Sequence, residues 1–404
     1  MTLPNPAYSL PPAQLAKAIA LGHWENFLYF GGTAWTIIAL CFALKLSSKI
    51  RNAAEWLTSS EWLQGLIVAP AWLILLILIG LPFGLLGHWV GLHFGLSVEP
   101  WIHGSTNWLK DLAKSSGVSL VVGTLVLSAV YFLLRHSPRY WWLWLWIVTL
   151  PVEVGVVYIA PVVLDPMFNH FEPLQKADPA LVAKLEVLAN HAGEHIPPSR
   201  MFVMNASTRS TGIDAYVTGF GSSKRIVVWD NTLREIPTNQ ILFICGHEMG
   251  HYALHHIVKG MLFGFATLLV GYWLLDLLLS GVISQFGRWM DIRAPEDWAS
   301  VGLLLLVVTI LSFLAAPIGN AFSRWEEHQA DVFGQEAIHG LVPDPQQTAV
   351  AAFNRLGEIW LQNPHPNSFV TFWAASHPSI EARVTFAEHY DPWTPGHHPR
   401  FFPR

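Results

Sequence analysis

Charged residues disappear from six windows of the chain. Phe27 to Leu44, Leu63 to Leu86, Ser115 to Leu134 and Trp298 to Ser323 contain no Asp, Glu, Lys or Arg; Tyr140 to Leu164 contains only Glu153, and Ile257 to Ser284 only Lys259 and Asp276. A bilayer needs about 20 apolar residues per crossing helix, and backbone groups in hydrocarbon must satisfy one another, which a helix does within itself. The pattern predicts six transmembrane helices. Two stretches of mixed charge with turn and helix signals interrupt it, Asp165 to His256 and Arg324 to the C-terminus. Two spans separate them, so both lie on one side of the membrane. The expected organisation is a membrane region over 1–164 (spans 27–44, 63–86, 115–134 and 140–164), a first polar part over 165–256, a membrane hairpin over 257–323 (spans 257–284 and 298–323), and a second polar part over 324–404. The fold class is mainly α: a polytopic helical membrane protein with a smaller α+β domain.

Composition sharpens this. Of 404 residues 52% are hydrophobic and 13% charged, against about 25% charged in a soluble domain. The balance of 23 Lys+Arg and 28 Asp+Glu excludes a nucleic-acid footprint and a disordered tail. Cys41 and Cys245 are too few for a disulfide scaffold. The first apolar run follows a stretch whose only basic residue is Lys17, without a small-residue cleavage site, so no secretory signal is expected. With the N-terminus cytoplasmic, the far-side short loops carry Lys45, Lys49, Arg51, Arg135, Arg139, Arg288 and Arg293, against mainly Lys17, Lys110 and Lys114 on the near side, which opposes the positive-inside bias.

Gly246-His247-Glu248-Met249-Gly250-His251 contains H-E-x-x-H. Residues four apart share a helix face, so His247 and His251 can bind one zinc while Glu248 reaches its water. Ile241, Leu242, Ile244, Cys245, Met249 and Tyr252 form a buried stripe on a helix predicted over Asn239 to His256, with Thr238 or Asn239 able to cap it. Unpaired imidazoles in such a helix would be costly. A catalytic zinc needs a third protein ligand, and the best candidate follows the sixth span. There Glu327 and Asp331 share a face, so Glu327 can ligate while Asp331 hydrogen-bonds the outer nitrogen of a ligating His. Glu326 shares its face with Ala330 instead. Ile213 to Gly219 and Arg225 to Trp229 read as two strands joined by a Gly-Ser-Ser turn, and an exposed edge there could add a peptide as a further strand.

With these motifs the chain resembles the integral-membrane CAAX prenyl protease type 1 family of zinc metalloendopeptidases. Besides His247 to His251, the resembling residues are Ser-Arg-x-x-Glu-x-Gln-Ala-Asp at Ser323 to Asp331 and Ser376-His377-Pro378 followed by Arg383. Phe94 to Ser97 with Trp108 to Lys114, Pro166 to Asn169 with Phe171 to Leu174, and Asp214 to Phe220 leading into Lys224 to Val227 also match. The resemblance implies one zinc per chain held by His247, His251 and Glu327, Glu248 as catalytic base, and His377 and Arg383 holding substrate and stabilising the tetrahedral intermediate. It implies substrate contacts at Asp214, Ala215 and Tyr216, although the family usually has Asn at the position of Asp214. It implies a large chamber among the helices, where Glu153 would face water, and a catalytic domain on the cytoplasmic side. That side is preferred over the loop-charge count, since the positive-inside bias weakens for large domains. Eukaryotic members carry an additional N-terminal span.

The expected activity is therefore hydrolysis of membrane-associated peptides or proteins in the bilayer, in a bacterial inner membrane if the source is a bacterium, with no nucleic-acid partner. Alternatives are an HtpX-like general membrane protease, a site-2-type intramembrane protease using Asp276, or a zinc transporter. Asp276 lies about 27 Å up its helix from Val258.

Overall fold

The computed structural model describes residues 7–104, 107–219 and 221–402; Phe220 of the family-like run lies outside them. Among the described residues, six helices are long and apolar enough to cross a membrane: Pro12–Leu57, Glu61–Phe94, Trp108–His136, Trp141–Phe168, His256–Met290 and Trp298–Ala337. Each covers nearly all of one of the charge-poor windows and extends beyond it. Gly95 ends the second in the left-handed region at φ 76°, and Asn107 starts the third by accepting from Lys110 N at 3.0 Å. Large apolar side chains such as Phe42, Leu125 and Leu262 point outward, 68%, 65% and 59% exposed; on a water-facing surface this belt would be a liability, in lipid it is the solvent contact.

Two cores follow. Trp72, Tyr131, Trp141, Leu279 and Val301 pack among the spans. The second core lies in the polar domain, where Leu185, Ile226, Val228, Leu242, Met249, Phe333, Phe353 and Val384 meet. Tyr8 and Leu10 reach into that second core from the N-terminal end. Between the spans, Asp276 Oδ1 accepts from Trp141 Nε1 at 2.6 Å, so this intramembrane acid has a local partner. Glu153 is half-buried, and its Oε2 has no hydrogen-bond partner among the described residues.

The polar domain carries a sheet of β1 (Phe171–Pro173), β2 (Met201–Met204), β3 (Ala215–Thr218) and β4 (Arg225–Trp229) in the order β1-β2-β4-β3. β3 and β4 form the expected antiparallel hairpin around Gly221–Ser223, with Ala215 opposite Val228. β4 also pairs in parallel with β2, so β3 is an edge strand.

The H-E-x-x-H helix differs from its expected form at both ends. It spans Thr238–Ala253 and starts behind Pro237 with no side-chain cap; proline's fixed φ orients the first turn in place of a Thr238 or Asn239 cap. It also does not run straight into the fifth span. It stops at Leu254, His255 adopts φ 57°, and a new helix begins at His256. Helix Val301–Ala337 is unbroken over 37 residues, about 55 Å at 1.5 Å per residue. That exceeds the about 30 Å hydrocarbon thickness, so its last third projects into the polar domain and carries Glu327 and Asp331.

Candidate active site

Two helices build the site, Thr238–Ala253 and the projecting end of Val301–Ala337, and glycines let them touch. A Cβ on Gly334 would stand 2.8 Å from His247 N and 3.0 Å from its Cα, and one on Gly246 would stand 3.4 Å from Gly334 O. This close approach brings Glu327 against both histidines. His247 Nε2 lies 3.3 Å from His251 Nε2 and 3.3 Å from Glu327 Oε2, and His251 Nε2 lies 3.5 Å from Glu327 Oε1. A tetrahedral metal with bonds of about 2.0–2.1 Å, as zinc makes, spaces its ligand atoms by about 3.3–3.4 Å. The two nitrogens stand at that spacing, and each has one oxygen of the Glu327 carboxylate at 3.3–3.5 Å. Glu327 Oε2 is buried without a hydrogen-bond partner, and two imidazole nitrogens face each other, an arrangement a cation between them would stabilise. His247, Glu248 and His251 also form a cluster whose ligand atoms all lie within 4.8 Å, but Glu248 Oε1 is 3.9 Å from His247 Nε2, farther than Glu327. The donor set therefore fits a metal ion with Glu248 beside it.

A second layer holds these groups. Asp331 Oδ1 is 2.9 Å from His247 Nδ1, and Arg383 grips Asp331 with Nε–Oδ2 at 3.0 Å and Nη2–Oδ1 at 2.5 Å. The Arg383 guanidinium lies 4.4 Å over the Phe353 ring, and its side chain is only 11% exposed. His377 Nε2 stands 3.3 Å from Glu327 Oε1, and Ser376 Oγ pairs with its Nδ1 at 2.8 Å. The helix after it begins at Ile380, capped by Ser379, so Pro378 precedes the helix and leaves His377 in a loop over the site.

Burial alone would lower the His247 pKa, but the neighbouring carboxylates of Asp331 and Glu327 outweigh this and raise it to about 10. Burial and the neighbouring His247 lower that of His251 to about 3. A proton on His247 is thus the cation these carboxylates select by themselves, and metal binding would release it. Burial, with Asp214 and Glu327 adding to it and His247 opposing, lifts Glu248 to about 7. Burial likewise lifts Asp214 to about 6.

A cavity of 320 Å³ opens on these groups, lined by Asp214, His247, Glu248, Glu327, His377 and Arg383 with apolar walls from Phe353 and Trp360. Of the residues expected to contact substrate, Asp214 lines it. The Ala215 side chain is in the core, and Tyr216 turns to the opposite sheet face, its hydroxyl 3.8 Å from Met204 Sδ. Only the backbone of the β3 edge remains available at those two positions. Asp276 stays with Trp141 in the membrane, 20 residues and about 30 Å along the helix from His256, away from the histidines. Sequence reasoning missed Phe353 and Trp360, since an aromatic in a helical stretch reads as core, and it passed over His256, which stands 3.1 Å from His251.

Residues 175–391 match the model of peptidase family M48, and residues 21–170 match the model described as the CAAX prenyl protease N-terminal region with five membrane helices; among the described residues, four long apolar helices fall in or reach into that range. The chain is 32% identical over 389 residues to the uncharacterized metalloprotease YhfN of Bacillus subtilis, covering 96% of this chain and 88% of that protein. It is 26% identical over 403 residues to a CAAX prenyl protease 1 homolog of Oryza sativa, covering 95% and 86%. A crystal structure of S. mikatae Ste24p shares the fold with a TM-score of 0.78 at 21% identity, covering 94% of this chain and 90% of that one.

Proposed function

Because the chain belongs to peptidase family M48, we propose that His247, His251 and Glu327 hold one zinc ion and that Glu248 is the general base of peptide hydrolysis. The protein is a multi-pass membrane metalloprotease. The observation that carries the ligand assignment is the 3.3–3.5 Å triangle of two Nε2 atoms and the Glu327 carboxylate.

Zinc in that triangle would supply Lewis acidity to the scissile carbonyl and acidify a water to a pKa of about 7. Glu248 faces the same cavity and is poised near neutrality, which suits a group that takes a proton from the attacking water and returns it to the leaving amine. His377 lines the cavity with its Nε2 3.3 Å from Glu327, and Arg383 keeps Nη1 free of hydrogen bonds among the described residues; both are suited to stabilise the developing oxyanion. Asp331 fixes the His247 tautomer. Peptide would lie along the β3 edge, held by the backbone of Ala215 and Tyr216 beside Asp214.

The substrate class we infer is a membrane-associated peptide or protein. The CAAX prenyl protease relatives favour a C-terminally processed chain, and in a bacterium clearance of damaged membrane proteins would use the same site. We place the catalytic domain on the cytoplasmic side of the cell membrane. The test is Glu248→Gln in purified full-length protein: about one zinc is retained and cleavage of a reporter peptide is lost. Cleavage at the normal rate would overturn the assignment of Glu248.

A further inference from the structure

His256 is the first residue of helix His256–Met290 and lies five positions after His251. On a continuous helix, with about 100° per residue, those two side chains would point about 140° apart. The break between the helices removes that separation. His255 sits at φ 57°, ψ 34°, a left-handed conformation that non-glycine residues rarely adopt, and the chain reverses enough to fold His256 back. Its Nδ1 comes 3.1 Å from Nδ1 of His251, with the rings 5.0 Å apart at 74°.

The other nitrogens define what this contact does. His251 Nε2 faces His247 and Glu327, so Nδ1 is the one position through which the protein can orient that ring. His256 is 2% exposed and its Nε2 is buried with no hydrogen-bond partner among the described residues. A fold that buries an imidazole, leaves one of its nitrogens unpaired and strains a backbone residue beside it is spending that strain on the remaining contact.

We propose that His256 is a positioning residue for the metal site: it accepts a hydrogen bond from His251 Nδ1–H and so holds His251 in the tautomer whose Nε2 lone pair faces the metal. His256 then carries its own proton on Nε2. The two ligating rings are held differently, His247 by the Asp331 carboxylate and His251 by a neutral imidazole. A carboxylate partner raises ligand basicity more than a neutral one, so His256 supplies orientation without adding charge beside Glu327.

The inference rests on the ligand set proposed above, and the experiment separates the two. Full-length wild-type, His256→Phe and His256→Asn proteins are purified in detergent, checked for thermal unfolding, and titrated with zinc against a chelator; their cobalt(II) absorption spectra are recorded in parallel. Phe keeps the bulk and removes the acceptor, and zinc affinity falls about 10–100-fold, the range for lost second-layer partners, with a shifted cobalt spectrum. Asn presents an amide oxygen and recovers most of the affinity. Unchanged affinity and spectrum in His256→Phe overturn the role of His256 alone. Failure of the wild-type protein to hold stoichiometric zinc overturns the ligand set, and this inference with it.

Discussion

Substituting Gly334 by Ala tests whether helix contact sets the metal geometry. The added Cβ would lie 2.8 Å from His247 N and 3.0 Å from His247 Cα, both backbone atoms of the ligand residue. Ordinary contact needs about 3.5–4.0 Å, so the helices must separate by about 0.5–1 Å at the point where Glu327 meets the histidines. Neither side can yield by rotating a side chain. Overpacking of this kind costs about 1–3 kcal/mol, partly offset by up to about 1 kcal/mol from replacing Gly with Ala inside a helix. The net stability loss is therefore about 0–3 kcal/mol, and the protein should fold. Activity is more sensitive, since sites tolerate about 0.5 Å and a 1 Å misplacement can cost about 100-fold. The control is Gly319→Ala on the same helix, where a Cβ meets nothing within 4 Å. The expected result is that Gly334→Ala lowers kcat/KM on the order of 100-fold and weakens zinc retention, while Gly319→Ala leaves both unchanged. Equal behaviour of the two variants in peptide cleavage and chelator competition would refute the reasoning.

Two further outcomes follow from the site and the spans. Glu327→Ala should lose zinc to a chelator far faster than Glu326→Ala, because only Glu327 faces both His251 and His247; equal loss measured by metal analysis would remove Glu327 from the ligand set. Asp276→Asn retains an oxygen able to accept from Trp141 Nε1, so peptide cleavage should stay within about twofold of wild type, given how little one such bond contributes between membrane helices. A loss as deep as that of Glu248→Gln would restore the intramembrane reading in which Asp276 ligates.

The spans and the grouping of the proposed ligand residues were legible in sequence for the same reason: each obeys a local rule. Hydrocarbon excludes charge, so Trp298 to Ser323 reads as a span, and four-residue spacing places His247 with His251 and Glu327 with Asp331 on single faces. What stayed hidden depends on distant segments meeting. Ala253-Leu254-His255-His256 contains neither Gly nor Pro, and no local signal marks the break that aims His256 at His251. The parallel pairing of β2 with β4 joins segments more than 20 residues apart, and β2 is too short to stand out alone. Tyr8 packs beside Gly357, where it fills space a Cβ would need, a contact across nearly the whole chain. The walls of the cavity, Phe353 and Trp360, are ordinary aromatics until the fold turns them toward Glu248.

The helix Val301–Ala337 begins in hydrocarbon and ends at the chemistry, so the membrane's mechanics reach the reaction. From Val301 to Glu327 is about 39 Å, and a tilt of one degree at the lower end would carry Glu327 sideways by about 0.7 Å. A helix tilts when bilayer thickness departs from its hydrophobic length. Alone, this lever would make Glu327 a gauge of lipid composition. The backbone contact of Gly334 with His247 clamps the histidine helix to the same lever, so a swing carries the two as one body. A tilt of this helix would then move the Glu327–histidine group together and leave its internal spacing unchanged.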